Sequence, residues 1–226
     1  MKKSKSLDHR MVLDTTNNFV TFLDDRKSCE SPFFYIRIRY TRRNQGGIQM
    51  LALLIIDMQQ GVCLHPTFYG AQELIERINQ RIECYRKQQL PIIFIQHQDE
   101  SLVVGHSDWQ LMPQLDAHLE DTRIAKTHAN SFYQTDLTEH LKQEQIDCLE
   151  VWGAQTQYCV DSTIKFAHGL GFTLYSFPNA SSTTDQAACT ALQIIAFYED
   201  IWRDRFLTFE DPLIKKEFFY EHLSHN

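Results

Sequence analysis

The sequence IDCLEVWGAQTQYCVDSTIKFAHGLG, residues 146–171, contains a predicted strand, turn and helix in succession. Its first seven residues, 146–152, form a run rich in apolar side chains, which is typical of a buried strand. The segment from Val160 to Gly171 is predicted to be helical, with Gly171 at the position of a C-terminal cap. Cys159 therefore lies at a strand-to-helix turn, close to the amino end of a helix.

This position predicts a reactive thiol at Cys159. The exposed N–H groups and the positive dipole end of a helix favour the thiolate over the neutral thiol. Considered alone, a cysteine is more often a small buried apolar residue than a nucleophile. The prediction therefore depends on which other side chains the fold brings to the same place.

The surrounding chain predicts an α/β fold. Apolar runs at 51–56 and 91–96 indicate buried strands, and apolar residues at helical spacing between 71 and 89 indicate a helix that joins them. Near-continuous apolar strands that alternate with amphipathic helices are typical of a parallel sheet covered on both faces. We therefore predict a three-layer α/β/α sandwich with a mainly parallel, Rossmann-like sheet.

Polar side chains follow the predicted strands at the edge where such sheets bind ligands. Asp57 and His97 come directly after two buried strands, Lys126 ends a short extended segment, and Cys159 lies in the turn after a fourth. Because the carboxyl ends of parallel strands meet at one edge, we expect these four side chains to converge there.

Three motifs in this order resemble the isochorismatase-like cysteine hydrolases, a superfamily that includes nicotinamidase and N-carbamoylsarcosine amidase. The resemblance covers residues 50–185, and more weakly the C-terminus, and it implies the isochorismatase-like hydrolase fold. The motifs are the apolar strand into Asp57-Met58-Gln59, Lys126 followed by Asn130-Ser131-Phe132, and Gly153-Ala154-Gln155-Thr156 followed by Cys159-Val160 and Thr163.

The resemblance implies a catalytic triad of Asp57, Lys126 and Cys159. Asp57 would be the general acid and base, Lys126 would give electrostatic support, and Cys159 would form a thioester with the substrate. The resemblance also implies an oxyanion hole of the Gln155 and Cys159 backbone N–H groups, beside a cis peptide bond between Ala154 and Gln155. The implied reaction needs no cofactor and hydrolyses a C–N bond of a small amide or carbamoyl compound.

Two alternative functions remain open. Isochorismatases hydrolyse a vinyl ether without a cysteine nucleophile, so Cys159 would be dispensable in an enzyme of that kind. A non-catalytic binding protein on the same fold would need no reactive thiol, since fold does not fix function. Substrate-binding candidates are the aromatic and polar residues expected near the sheet edge, which are His97, Trp109, Asn130, Phe132, Tyr133 and Tyr158.

The segment after the second strand departs from the nicotinamidase pattern. Nicotinamidases bind a metal there through an aspartate and histidines, whereas the segment Phe94–Asp99 lacks the aspartate-x-histidine order. His97, Asp99 and His106 are possible metal ligands, but their spacing is not diagnostic. We therefore expect no metal, and a pocket-lining role for His97.

Charge and composition separate the first 49 residues from the rest. They contain ten Lys and Arg against five Asp and Glu, whereas the chain as a whole has a net charge of −7. The acidic remainder argues against nucleic acid as a partner, and no apolar run reaches the length of a membrane span. We predict a basic N-terminal extension at 1–49, outside the fold, and a hydrolase domain at 50–226.

The expected partners are a small-molecule substrate and other copies of the chain. Family members usually form homo-oligomers, and the aromatic residues Phe218, Phe219 and Tyr220 are candidates for an interface. The six cysteines are scattered without a C-x-x-C pair. That distribution favours a reducing compartment, and we expect a cytoplasmic location.

Overall fold

The computed structural model describes residues 10–14, 19–23, 41–44 and 47–213, with side chains from residue 50 onward. The chain forms two compact units, residues 1–39 and 40–226. In the first unit, β1 (Arg10–Asp14) and β2 (Phe19–Leu23) pair as an antiparallel hairpin. The second unit contains the sheet and helices predicted from the sequence.

A mainly parallel sheet forms the centre of the second unit. Neighbouring strands in its main path are all parallel. Their order is β6 (Thr122–Lys126), β5 (Ile92–His97), β4 (Gly47–Ile56), β7 (Ile146–Ala154) and β8 (Thr173–Tyr175). Two further strands extend it: β3 (Thr41–Asn44) is antiparallel to the start of β4, and β9 (Ser181–Ser182) is parallel to the end of β7.

Helices follow the strands and complete the layers. The long helices are α2 (Ala71–Lys87) and α5 (Ala191–Trp202), and the shorter ones are α1 (Gln60–Cys63), α3 (Leu137–Gln143) and α4 (Asp161–Gly169). A 3₁₀ turn lies at Ser107–Trp109 and a π-helical turn at Thr156–Val160.

Strand β4 shows why a continuous apolar run predicts a sheet covered on both faces. Successive side chains of a strand point to opposite faces. Leu53 therefore packs in one hydrophobic cluster with Ile78 of α2, whereas Leu54 packs in a second cluster with Leu141 of α3 and Ile164 of α4. The predicted three-layer α/β/α architecture with a mainly parallel sheet is confirmed.

The start of β4 differs from the expected position. The predicted boundary before Met50 falls inside this strand, because residues 47–49 continue it and pair with residues 42–44. The tail aromatics Phe218, Phe219 and Tyr220 lie outside the described residues. Across the part of the chain that the structure describes, no helix has both the length and the apolar character that a bilayer crossing requires.

Candidate active site

Four neighbouring strands bring the predicted site residues to one edge of the sheet. Lys126 is the last residue of β6, and it is the register partner of His97, the last residue of β5. Asp57 directly follows β4, and Cys159 lies in the turn after β7. The convergence expected from the topology is present in the structure.

A glycine allows β7 to approach β4 at this edge. Gly153 has φ +128°, and a Cβ atom there would lie 2.1 Å from the carbonyl oxygen of Ile56. Any other residue would therefore push the two strands apart one position before Asp57. Asp57 itself has φ +49°, in the left-handed region that aspartate tolerates better than most residues.

The Lys126 ammonium connects the other three side chains. Its Nζ lies 2.6 Å from Asp57 Oδ2, 3.2 Å from Cys159 Sγ and 3.2 Å from His97 Nδ1. Lys126 and Asp57 are almost completely buried. Asp57 Oδ1 is also buried, and it has no hydrogen-bond partner among the described residues.

Burial, more than the neighbouring charges, favours the neutral thiol of Cys159. Burial, followed by the Asp57 carboxylate, raises the pKa of Cys159 to about 12, and the Lys126 ammonium acts in the opposite direction. The expectation of a thiolate favoured by the helix end is therefore wrong for the resting site. Desolvation disfavours a charged thiolate more strongly than the nearby dipole and ammonium favour it. Attack by sulfur needs a base that removes the proton.

The turn that carries Cys159 is tightly bonded. The peptide bond between Ala154 and Gln155 is cis. The Gln155 carbonyl oxygen accepts hydrogen bonds from the N–H groups of Tyr158 (3.1 Å) and Val160 (3.2 Å). The buried hydroxyls of Thr156 and Ser181 lie 2.9 Å apart and join the turn to β9. Helix α4 starts directly after the turn, at Asp161.

A cavity of about 520 Å³ opens above these residues. Its volume is in the range of small-molecule sites. Five residues predicted for the site line it: Asp57, His97, Gln155, Tyr158 and Cys159. The rest of its described lining comes from residues that the sequence did not indicate, which are Gly61, Val62, His65, Ser101, Leu102, Asp108 and Thr184.

Four predicted substrate-binding residues are not among the described residues that line this cavity. Phe132 is buried against Phe166 and Phe172 in the core. Tyr133 is half exposed, and its ring lies edge-on to His128.

The other two residues have local structural contacts. Asn130 Oδ1 accepts a hydrogen bond from the Phe132 N–H at 2.9 Å. The Trp109 carbonyl oxygen accepts hydrogen bonds from the side-chain amides of Gln59 (2.9 Å) and Gln96 (3.0 Å). Position after a strand predicted proximity to the site, but not the direction of each side chain.

The structure adds two residues to the surroundings of His97. Gln59 binds the His97 backbone at both its N–H and its carbonyl group, and Asp99 Oδ2 lies 3.3 Å from His97 Nε2. A polar residue within three positions of the end of an apolar strand was the available signal for Gln59. Within the described residues, no group of three or more His, Cys, Asp or Glu side chains is arranged to hold a metal ion.

Comparison with known proteins gives the family. Residues 51–196 match the Isochorismatase domain family. The chain belongs to the isochorismatase family of hydrolases. The resemblance carried by the three sequence motifs is thereby confirmed.

One solved structure and two sequence relatives illustrate what this isochorismatase-family chain is similar to. A crystal structure of an isochorismatase family protein is 46% identical, with a TM-score of 0.69 over 71% of this chain and 98% of that one. The isochorismatase family protein YrdC of Bacillus subtilis strain 168 is 28% identical over 58% of this chain and 73% of its own length. Nicotinamidase 3 of Arabidopsis thaliana is 22% identical over 65% of this chain and 80% of its own.

Proposed function

We propose that the protein is a cysteine hydrolase that cleaves a C–N bond of a small amide or carbamoyl compound. One observation carries the proposal: the buried Lys126 ammonium lies between Asp57 Oδ2, at 2.6 Å, and Cys159 Sγ, at 3.2 Å, beside a cavity. A base, a cation and a thiol in contact are the parts that nucleophilic acyl transfer requires.

Acylation begins with transfer of the Cys159 proton. The thiol is neutral at rest, because its pKa is raised to about 12. Asp57 Oδ1, which has no other partner among the described residues, takes the proton as sulfur attacks the substrate carbonyl carbon. The Lys126 ammonium offsets the negative charge that this transfer develops around sulfur. The carbonyl oxygen becomes an oxyanion.

The backbone N–H groups of Gln155 and Cys159 are the proposed donors to that oxyanion. When the C–N bond breaks, protonated Asp57 gives its proton to the leaving nitrogen, and ammonia or an amine departs. A thioester on Cys159 remains. Water then attacks the thioester with Asp57 again as base, the acid product leaves, and the thiol regains its proton. No cofactor takes part in these steps.

The test is ammonia or amine release by the purified full chain. The substrate panel contains small primary amides, carbamoyl compounds, nicotinamide and isochorismate. We expect turnover of an amide or carbamoyl compound, and loss of at least about 10⁴-fold in Cys159→Ala. Acid quenching during turnover, followed by peptide mass spectrometry, should show an acyl group on the peptide that contains Cys159. Cys189→Ala, at an exposed thiol outside the cavity lining, is the matched control.

Two results would overturn the proposal. Isochorismate turnover that survives Cys159→Ala would indicate an ether hydrolase. If a panel compound binds but is never turned over, and no acyl adduct forms, the chain is a binding protein.

We also propose that the enzyme works in the cytoplasm. Cys63, Cys84, Cys159 and Cys189, in the described part of the chain, are free thiols, which supports a reducing compartment. Fractionation of the native host with a thiol-trapping reagent tests this location, and recovery of oxidised protein outside the cytoplasm would contradict it.

A further inference from the structure

The Lys126 ammonium has one neighbouring acceptor for each of its N–H donors. A lysine side chain carries three N–H donors and no acceptor. Among the described residues, its three neighbours within hydrogen-bond distance are Asp57 Oδ2, Cys159 Sγ and His97 Nδ1. Two of these belong to the proposed reaction. The third, His97, therefore decides where the remaining N–H points.

The contact with Lys126 fixes the tautomer of His97. Because the ammonium can only donate, Nδ1 must present a lone pair, so the neutral ring carries its hydrogen on Nε2. That nitrogen lies 3.3 Å from Asp99 Oδ2, an electrostatic contact. Hydrogen-bond contacts run from His97 to Lys126 and from there to Cys159, with the Asp99 carboxylate beside the outer nitrogen of the ring.

Asp99 is held in place by several hydrogen bonds of its own. Its Oδ1 accepts hydrogen bonds from the Ser101 hydroxyl at 2.7 Å, and from the N–H groups of Ser101 and Leu102 at 2.8 Å each. These bonds, led by that of the Ser101 side chain, lower the pKa of Asp99 to about 2. Asp99 therefore faces the His97 ring as a carboxylate at neutral pH.

The backbone of His97 is held as firmly as its ring. Gln59 is completely buried, and its side-chain amide binds the His97 peptide at two points. Gln59 Oε1 accepts from the His97 N–H at 2.7 Å, and Gln59 Nε2 donates to the His97 carbonyl oxygen at 2.9 Å. The imidazole cannot shift without breaking contacts on both sides.

We propose that His97 is a positioning residue, which holds one N–H of Lys126 so that the other two stay on Asp57 and Cys159. Its effect on turnover rests on the proposed function. Its effect on the thiol does not, because Lys126 acts on Cys159 whether or not a substrate is ever turned over.

The first test compares two substitutions at His97. Asparagine places an amide oxygen where Nδ1 was, so His97→Asn keeps an acceptor for Lys126. His97→Leu fills similar space with no acceptor. We expect kcat to fall on the order of 10- to 100-fold in His97→Leu, with a much smaller change in KM, and to be largely rescued in His97→Asn. His118→Leu is the matched control, because the His118 ring also contacts carboxylates, those of Asp116 and Glu120, and His118 is not among the described residues that line the cavity.

The second test needs no substrate. Iodoacetamide alkylation of Cys159 is followed by peptide mass spectrometry across the alkaline range. His97→Leu should slow alkylation towards the rate of Lys126→Met, whereas His97→Asn should stay near the wild-type rate. Continued protection of the buried Cys148 thiol shows that each variant is folded.

Either of two results overturns the inference: an unchanged Cys159 alkylation rate in folded His97→Leu, or an asparagine variant as impaired as the leucine variant. If no panel compound is turned over but His97→Leu slows alkylation, the proposed function fails and the positioning role stands.

Discussion

Two buried ion pairs have their carboxylates in, or directly after, strands of the same sheet. The two carboxylates differ in the number of hydrogen bonds that they accept. Glu150, in β7, accepts four hydrogen bonds of 2.7–2.8 Å, two from Arg81 and one each from Tyr85 and Trp152. Asp57, after β4, accepts one bond from Lys126 at 2.6 Å, and its Oδ1 has no partner among the described residues.

The difference separates a structural ion pair from a reactive one. A buried polar atom without a partner costs free energy, so a native structure keeps one where it serves another purpose. Each oxygen of Glu150 accepts two hydrogen bonds, so this carboxylate cannot take a proton without losing a bond. Asp57 lines the same cavity as Cys159, and its Oδ1 can take a proton without losing the bond between Oδ2 and Lys126.

The largest expected effect comes from Asp57→Asn. An amide retains the shape and can still accept a hydrogen bond from Lys126, but it cannot accept the Cys159 proton. We expect kcat on the substrate found in the panel to fall about 10²- to 10⁴-fold. Circular dichroism should show a folded protein. Near wild-type turnover in a folded Asp57→Asn would show that the pair of Asp57 and Lys126 is not the reactive one.

The second prediction concerns the thiol beside the reactive pair. Cys159 has its pKa raised from 9.0 to about 12, so its thiolate fraction at neutral pH is about 10³-fold below that of an ordinary thiol. We expect slow iodoacetamide alkylation that keeps rising with pH well above 9.0. Asp57→Asn should speed the reaction at a given pH, because that carboxylate raises the pKa, and Lys126→Met should slow it.

The exposed Cys189 provides the internal reference for reagent and folding in this experiment. An alkylation rate for Cys159 that levels off below pH 9 would contradict the raised pKa. It would indicate that the helix end and Lys126 dominate over burial and Asp57.

The third prediction breaks the structural pair. Glu150→Gln removes one of the two carboxylates that pair with Arg81 in the described structure and leaves that of Asp211, at 2.9 Å. Removing one partner of a buried pair costs about 3–5 kcal/mol in free energy of unfolding, and we expect the lower end because Asp211 remains. Urea denaturation measures the loss. Turnover per folded molecule should stay near that of the wild type.

Glu83→Gln is the control for that measurement, because Glu83 pairs with Lys87 at the protein surface. We expect no measurable change in stability there. A loss in Glu150→Gln no larger than in Glu83→Gln would show that the four hydrogen bonds do not stabilise the fold.

The sequence predicted the reactive pair better than the structural one. Asp57 follows an apolar strand and Lys126 ends a short extended one, and in a parallel sheet that position alone brings side chains to one edge. Glu150 lies inside the run 146–152, whose apolar character predicted a buried strand but not a partner for its charge. That partner, Arg81, comes from α2, 69 positions earlier, and no local pattern connects the two.

Side-chain direction and solvation were the other properties that local sequence did not carry. Phe132 and Trp109 were predicted to bind the substrate, but neither is among the described residues that line the cavity, and Phe132 packs against Phe166 and Phe172. The helix end next to Cys159 suggested a thiolate, whereas burial by elements distant in sequence raises its pKa. Periodicity and topology predict where a residue lies, while burial and charge partners require the assembled fold.

The smallest expected effect is that of Tyr85→Phe, which removes one of the hydrogen bonds to Glu150. The completely buried Tyr85 hydroxyl donates to Glu150 Oε2 at 2.8 Å. Its loss should lower the free energy of unfolding by about 1.5–3 kcal/mol, less than Glu150→Gln, because Arg81 still binds the same oxygen.

The double variant Tyr85→Phe/Glu150→Gln should lose less than the two single losses combined, because both substitutions remove bonds from one network. Urea denaturation of all three variants measures this coupling. Strict additivity would mean that Tyr85 and Glu150 stabilise the fold separately, and that Glu150 is held by its ion pair alone.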